Sequence, residues 1–399
     1  MRSNLLATAI AIGLGFAAVA PARAADDTAS QLAAMKAQIA ALQAQIEDLQ
    51  SRTDAQSDVN VEQAQAIEAA QAANTKTDAL AKLVNDTRIS GRMYYDFSHV
   101  DAESNGAKTS ATGTGFDIKR FYLGVDHKFN DTWSINLTTD FQYSSAIGAT
   151  EIYIKKAYLE GKFSDAFDLR LGSTDLPWVP FAENAYGYRY IENTLIDRLK
   201  YGTSADWGVH VSGSNDSGMF NYAAAMINGA GYKNPSRSKN VDFEARIAFM
   251  PVEGLTLAAG GYTGKLGKET ETLEMPHTAK RFDALAAYAT ANFRIGAEWF
   301  SATDWNVAQV ASDKADGYSV FGNVALGGNG INLFARYDSA RLSKDVDPSL
   351  ENTYYNFGVE FPIAKGLKIA PVYKYTRLEN DTDVDLVTRE LGVWGEFRF

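Results

Sequence analysis

From about Arg88 to the terminal Phe399 of this 399-residue chain, polarity changes at almost every residue. No other feature restricts the fold as strongly. In the run Trp133-Ser134-Ile135-Asn136-Leu137-Thr138-Thr139-Asp140-Phe141-Gln142-Tyr143, apolar or aromatic residues take nearly every odd position and polar residues the even ones. Successive side chains of a strand point to opposite faces, so one face meets an oily medium and the other meets water. The pattern recurs sixteen times, at about 88–98, 115–128, 132–144, 150–163, 167–175, 200–213, 217–228, 240–250, 254–265, 281–291, 293–304, 316–326, 330–341, 351–361, 367–379 and 385–399. Short connections, such as Asn130-Asp131, Ala291-Asn292 and Gly327-Gly328-Asn329-Gly330, alternate with longer polar ones at 99–114, 229–239, 266–280, 305–315 and 342–350. An up-and-down meander with tight turns on one rim and long loops on the other has this rhythm.

A soluble sheet would bury its apolar face against a second layer, but this chain has no helices left over to cover so many strands. Lipid can take that place, and closing the sheet satisfies every edge N–H and C=O inside hydrocarbon, where an unpaired group is costly. The expectation is an all-β fold, a 16-stranded antiparallel transmembrane β-barrel over residues 87–399. Mean hydropathy is −0.24, which does not oppose this, because a spanning strand needs only about ten residues of alternating polarity. Gly 32, Tyr 20 and Phe 21 against Pro 9 suit many strands and tight turns. Phe129, Trp133, Tyr143, Phe163, Phe167, Phe249, Phe293, Phe361 and Phe399 fall at strand ends, where two aromatic girdles would meet the lipid headgroups.

Two segments precede the alternating region. Arg2, an apolar run from Leu5 to Ala20 and Ala22-Arg23-Ala24 mark residues 1–24 as a signal peptide, with Ala25 as the first mature residue. Residues 25–86 read as a long helix, with neither Gly nor Pro between Ala29 and Asn85. Leu32, Met35, Ile39, Leu42, Ile46 and Leu49 are spaced 3, 4, 3, 4, 3, the seam of a left-handed coiled coil. Thr53, Gln56, Asn60 and Gln63 follow in the same register, Ile67 and Ala70 restore the seam, and Asn74 and Thr77 weaken it again. About 55 helical residues would reach some 80 Å into the periplasm. Cysteine is absent, which excludes a disulfide framework and a thiolate metal site; no metal or other cofactor is expected. Without Arg2 and Arg23 the charge balance is 36 basic against 49 acidic residues, or −13, which argues against a nucleic-acid partner.

Four stretches then carry a resemblance. Ile89-Ser90-Gly91-Arg92-Met93-Tyr94-Tyr95-Asp96, Phe116 to Val125, Ile154-Lys155-Lys156-Ala157-Tyr158-Leu159 and Leu169-Arg170-Leu171-Gly172-Ser173 followed by Pro177 resemble the opening strands of the phosphate-selective porins O and P. The terminal Phe399, on one face with Leu391, Val393 and Phe397, resembles the address read by the outer-membrane assembly machinery. The resemblance implies a Gram-negative outer-membrane channel, a homotrimer of sixteen-stranded barrels among lipid and lipopolysaccharide, with a constriction loop in each pore and a ladder of arginines guiding anions. An appended coiled coil is similar to that of sucrose porins and some dicarboxylate porins. The solute class is therefore small and hydrophilic, with anions such as phosphate first and sugars, dicarboxylates or unselective diffusion as alternatives.

Parity identifies side chains that face the water. With Met93, Tyr95 and Phe97 outward, Arg92 points inward; with Phe121, Leu123 and Val125 outward, so does Arg120; Lys156 and Arg170 follow by the same rule, as do Arg246, Arg294 and Arg336. Asp96, Asp140, Glu160, Asp242, Glu244, Glu298, Asp338 and Glu396 share that face. Arg92, Arg120, Lys156 and Arg170 match basic positions of the resembling family, and with Lys119, Arg189 and Arg198 they form the candidate anion-selectivity set. Each has a plainer reading as a wall-stiffening partner of a carboxylate. The segment Leu176 to Leu199 is the candidate constriction loop, carrying Trp178, Phe181, Glu183, Tyr186, Tyr188 and Tyr190; Arg189 and Arg198 stand against Glu183, Glu192 and Asp197, so its charge nearly balances. Its aromatic rings could stack on sugars or pack the loop to the wall.

An enzyme of the outer membrane would need a histidine placed with a nucleophile. His99 and His277 fall in long loops, His127 near a short turn, and His210 faces inward without an assignable partner. No catalytic activity is expected. The helix has a further possible partner in peptidoglycan or a periplasmic protein, which would make it a tether between outer membrane and cell wall.

Overall fold

The computed structural model of the protein describes residues 26–144 and 149–399; the expected signal peptide lies outside the described residues. Helix α1 runs Asp26–Asp86. Ala-rich composition and the lack of Gly or Pro favour it locally. At ~1.5 Å per residue it is about 90 Å long. Leu32, Met35, Ile39, Leu42, Ile46 and Leu49 lie 52–61% exposed, so the apolar seam is an exposed one. Among the described residues, no helix is long and apolar enough to cross a membrane.

The remainder is a closed antiparallel barrel of sixteen wall strands among the described residues. In order these are β1 Thr87–Ser104, β2 Gly113–Lys128, β3 Trp133–Ser144, β4 Ala149–Ser164, β5 Phe167–Asp175, β6 Ala205–Ser214, β7 Phe220–Ile227 and β8 Asp242–Phe249, followed by β9 Leu255–Gly264, β10 Ala279–Ala289, β11 Phe293–Thr303, β12 Lys314–Leu326, β13 Ile331–Ser343, β14 Leu350–Ala364, β15 Leu367–Glu379 and β16 Asp385–Arg398. A two-residue rung, Ala107–Lys108, folds back on β1 in the first loop. Every strand pairs with its neighbours in sequence, and β1 also pairs with β16, from Arg92 opposite Arg398 to Ser104 opposite Leu386. Gly91 and Phe399 exchange two N–H···O bonds of 3.1 Å, so the ladder includes the last residue. Closure leaves no strand edge unpaired in lipid.

The expected alternation is realised. On β8, Asp242, Glu244 and Arg246 are buried inside while Phe243 and Ile247 are exposed outside. On β10, Arg281, Asp283 and Leu285 point in, and Phe282 and Tyr288 point out. Aromatic pairs collect on the short-turn rim: Trp133 with Phe163 at 5.5 Å, Phe220 with Phe249 at 4.7 Å and Tyr288 with Phe293 at 5.8 Å between centroids. The boundaries differ from expectation at two places that matter. β1 continues to Ser104, so His99 lies in the ladder, bonded to Thr114 Oγ1 at 2.7 Å, and not in a loop. β6 starts at Ala205 where alternation suggested about 200, because Tyr201 and Ser204 are held by the preceding in-folded segment.

Candidate functional site

Residues 176–204 connect β5 to β6 and turn into the lumen. Pro180 near the start of α2 (Val179–Tyr186) and Gly187 at φ 83° just past it bracket one short helix, and α3 (Leu195–Arg198) follows; proline early and a left-handed glycine at the end are the ordinary delimiters. The loop's partners sit on the far side of the barrel. Trp178, with no exposed surface, donates its backbone N–H to Glu244 of β8 at 2.9 Å and its Nε1–H to Glu298 of β11 at 2.8 Å. Tyr186 meets Phe321 of β12 edge-on at 5.4 Å, Tyr188 stacks on Phe334 of β13 at 4.3 Å, and the Tyr190 hydroxyl donates to Glu360 of β14 at 2.8 Å. Phe181 lies under the Arg246 guanidinium at 3.8 Å. Trp178, Tyr186, Tyr188 and Tyr190 are buried against the wall, and Phe181 is partly buried.

Ion pairs complete the attachment. Arg198 reaches Asp338 at 3.0 Å, and Arg336, paired with the same carboxylate at 2.6 Å, donates to the Asn193 carbonyl at 2.5 Å. Within the loop, Arg189 pairs with Glu183 and with Asp197 at 3.6 Å. Glu192 lies 3.3 Å from Lys374 and 3.9 Å from Lys119, whose Nζ also donates to the Ile191 carbonyl at 3.0 Å. Burial opposes the Glu192 charge, yet Lys119 and Lys374 outweigh it and hold the carboxyl below its usual range.

The wall cations owe their direction to strand geometry. On β2, Tyr94 of β1 pairs with Arg120 and Tyr95 with Ile118, so Lys119 is an extra residue. On β4, Thr138 pairs with Lys156 and Thr139 with Ile154, which makes Lys155 extra. A β-bulge puts two residues opposite one and shifts the phase of alternation. Phe116, Ile118, Ile152 and Ile154 therefore stay exposed to lipid, while Lys119-Arg120 and Lys155-Lys156 both turn into the lumen. Arg120 pairs with Asp140 at 3.2 Å, Lys156 with Asp175 at 2.5 Å, Arg170 with Glu160 at 2.7 Å and Asp168 at 2.9 Å, and Arg92 with Glu396 at 3.7 Å. Lys155 makes no ion pair among the described residues; its Nζ sits 3.4 Å from the Tyr122 hydroxyl and 4.6 Å above that ring.

Lys155, Lys374 and Arg281, which the candidate set omitted, are all buried on the lumen side; Lys374 and Arg281 obey the alternation, and only Lys155 breaks it. A signal for the first was present: two consecutive lysines in a lipid-spanning strand would send one into hydrocarbon unless a bulge intervened, at a cost of about 2–4 kcal/mol at mid-membrane. His210 is buried on the inner face, and neither ring nitrogen has a hydrogen-bond partner among the described residues. The loop read from sequence at 229–239 folds Tyr232 against the inner wall, its hydroxyl donating to Asp140 at 2.6 Å.

A closed barrel with a charged inner face, an apolar outer face and a loop folded across its lumen defines a channel for passive diffusion through a Gram-negative outer membrane. The family model of the phosphate-selective porins O and P matches residues 87–273, and the chain is an outer-membrane porin resembling that family, with an N-terminal helix before the barrel. No curated protein matches the chain. Solved structures share its fold. In-vitro folded OmpT of Vibrio cholerae in its trimer form is 14% identical with a TM-score of 0.53, covering 78% of this chain and 99% of that one. An anion-selective porin from Comamonas acidovorans is 11% identical with a TM-score of 0.55, over 78% and 99%. OprB of Pseudomonas putida is 11% identical with a TM-score of 0.57, over 82% and 96%.

Proposed function

We propose that this porin conducts small anions, inorganic phosphate among them, in preference to cations, as a homotrimer with no catalytic activity. The observation that carries the reading is the pair of bulges, which aim Lys119-Arg120 and Lys155-Lys156 into the lumen, where Lys119 meets the in-folded loop at Ile191 and Glu192. A ring of fixed charge in a narrow aqueous lumen sets ionic preference through its field. Arg92, Lys119, Arg120, Lys156, Arg170, Arg189 and Arg198 then form the selectivity strip, and the segment with Trp178, Phe181, Glu183, Tyr186, Tyr188 and Tyr190 forms the constriction. Likeness of fold to the Comamonas anion-selective porin and the trimeric Vibrio protein supports the reading.

A second reading, unselective diffusion, is favoured by the carboxylates that pair with Arg120, Lys156, Arg170 and Arg198. Reversal potentials in planar bilayers across a KCl gradient separate the two. Anion preference in the wild type that declines in Arg120→Ala and Arg170→Ala supports the strip, whereas equal permeabilities or cation preference overturns it. The exposed seam of α1 supports a parallel coiled coil in the periplasm, where it would reach peptidoglycan or a protein partner.

A further inference from the structure

The lipid-facing side of β11–β14 is not level. Gly322 of β12 lies opposite Ala335 of β13, with Ile295 of β11 paired to the first and Phe357 of β14 to the second. Ile295, Ala335 and Phe357 are exposed on the outer face, and Gly322 shares their phase. A glycine beside an alanine drops the floor to the level of the backbone. Ile295 and Phe357 rise on either side, Val324 and Leu333 close the short-turn end, and the resulting cleft measures about 710 Å³.

Towards the long-loop rim the same strands change character in a fixed order. Tyr318 and Tyr337 come first, exposed and 6.2 Å apart between ring centroids. Asp316 and Arg341 follow in the same outward phase, opposite each other in the ladder and paired at 2.9 Å. Lys344 shares the Asp316 carboxylate at 2.5 Å, Lys314 reaches Asp345 at 3.6 Å, Glu351 lies opposite Arg341, and Lys280 is exposed on β10. The long loops of an outer-membrane barrel face the outside, so these charges stand at the headgroups of the outer leaflet, just beyond an aromatic belt. From Asp316 to Gly322 the strand advances about 20 Å. At a tilt of ~35–45° this is about 15 Å of depth, half of the ~30 Å hydrocarbon core. The cleft therefore sits where the acyl chains of an outer-leaflet lipid end.

We propose that this strip is a binding site for one lipopolysaccharide molecule, with a phosphate of its lipid anchor on Lys314 and Arg341 and one acyl chain laid past Tyr318 and Tyr337 into the cleft over Gly322 and Ala335. Charge complementarity identifies the lipid. A purely basic patch would suit any anionic headgroup, whereas this rim presents both signs. The phosphates of lipopolysaccharide are bridged by divalent cations, and a mixed edge continues such a layer: guanidinium and ammonium groups take phosphate oxygens, while Asp345 and Glu351 offer oxygens to a cation that a phosphate shares. Charge, then aromatic belt, then apolar cleft is also the depth profile of a single leaflet. A second copy of the chain seated here would bury the charged row, and charged residues are depleted at the core of protein interfaces. The inference stands apart from the ion preference of the pore.

The test is lipid binding by the full-length protein, delipidated in detergent, supplied with Mg²⁺ and titrated with deep-rough lipopolysaccharide, with phosphatidylglycerol as competitor and bound lipid counted by native mass spectrometry. The wild type should hold one lipopolysaccharide per barrel that equimolar phosphatidylglycerol does not displace, and removing Mg²⁺ with EDTA should weaken it. Lys314→Gln with Arg341→Gln should lower the affinity about thirtyfold, from about fivefold for each cation near an anionic lipid surface. Should the pair fail to give a heat-modifiable folded band, Lys314→Gln alone carries the fivefold test. Ala335→Phe fills the cleft while keeping an apolar surface towards lipid, and should lower the affinity with the folded band intact. Lys162→Gln, on the short-turn rim, should change nothing. Equal affinity in all variants, or displacement by equimolar phosphatidylglycerol, overturns the proposal. So does an Ala335→Phe protein whose oligomer dissociates while its lipopolysaccharide affinity is unchanged, which would give the cleft to a second copy.

Discussion

At the scale of residues, the lumen is a surface of compensated charge. Arg120 with Asp140, Lys156 with Asp175 and Arg170 with Glu160 and Asp168 are all within 3.2 Å. Taking one partner away leaves a desolvated charge, and the penalty of that unpaired group exceeds the net worth of the pair. Lys155 and Lys233 rest on tyrosine rings. Because Lys233 loses its proton near pH 8, held down by burial, Arg120 and Lys200 against Asp140 and Glu151, anion preference should decline as pH rises from about 7 to 9. Reversal potentials over that range check this, and a flat profile counts against a role for its charge.

At the scale of elements, the 176–204 loop and the bulges deserve separate tests. Glu192 has a folded pKa below its unfolded value of about 4.3. Its contribution is therefore complete above about pH 5 and disappears as pH falls through the unfolded value towards the depressed folded one. Acid should loosen the loop from Lys119 and Lys374, visible as added open-channel noise in single-channel records below about pH 4; Glu192→Gln should show that noise at neutral pH. Deleting Lys119 should be worse than replacing it. Loss of the extra residue reverses the phase of one half of β2, presenting Arg120 or the segment Phe116 to Ile118 to the wrong medium, so the variant should fail to form a heat-modifiable folded band on cold gels, whereas Lys119→Gln should form one.

At the scale of the whole molecule, the barrel satisfies its own backbone by closing β1 onto β16, but α1 has an exposed apolar seam. Long isolated helices need packing to persist, and three copies held side by side by a trimeric barrel would supply it. The chain contains no cysteine, so Ile46→Cys introduces a unique thiol at a seam position. Mild oxidation of the intact porin should give disulfide-linked dimers on denaturing gels, and Ala44→Cys on the face opposite the seam should not; equal cross-linking at both positions, or none at either, argues against an in-register coil.

Much of this was legible without coordinates. A period of two over some 300 residues, with tight turns and long loops in alternation, determined a lipid-facing barrel and the inward direction of charges such as Arg246, Arg336, Glu244 and Asp338, because side-chain direction along a strand is a local property. The seam of α1 was equally local. What only the tertiary structure decided was where that local rule breaks and what each inward group meets. The bulges at Lys119 and Lys155 depend on pairing with neighbouring strands; the rings of Tyr186 and Tyr188 are taken by Phe321 and Phe334 more than 130 positions away; and the path of Tyr232 to Asp140 is closed by a bond between residues 92 apart in sequence. A net field in the lumen is a sum over such long-range neighbours, and no periodicity along the chain encodes it.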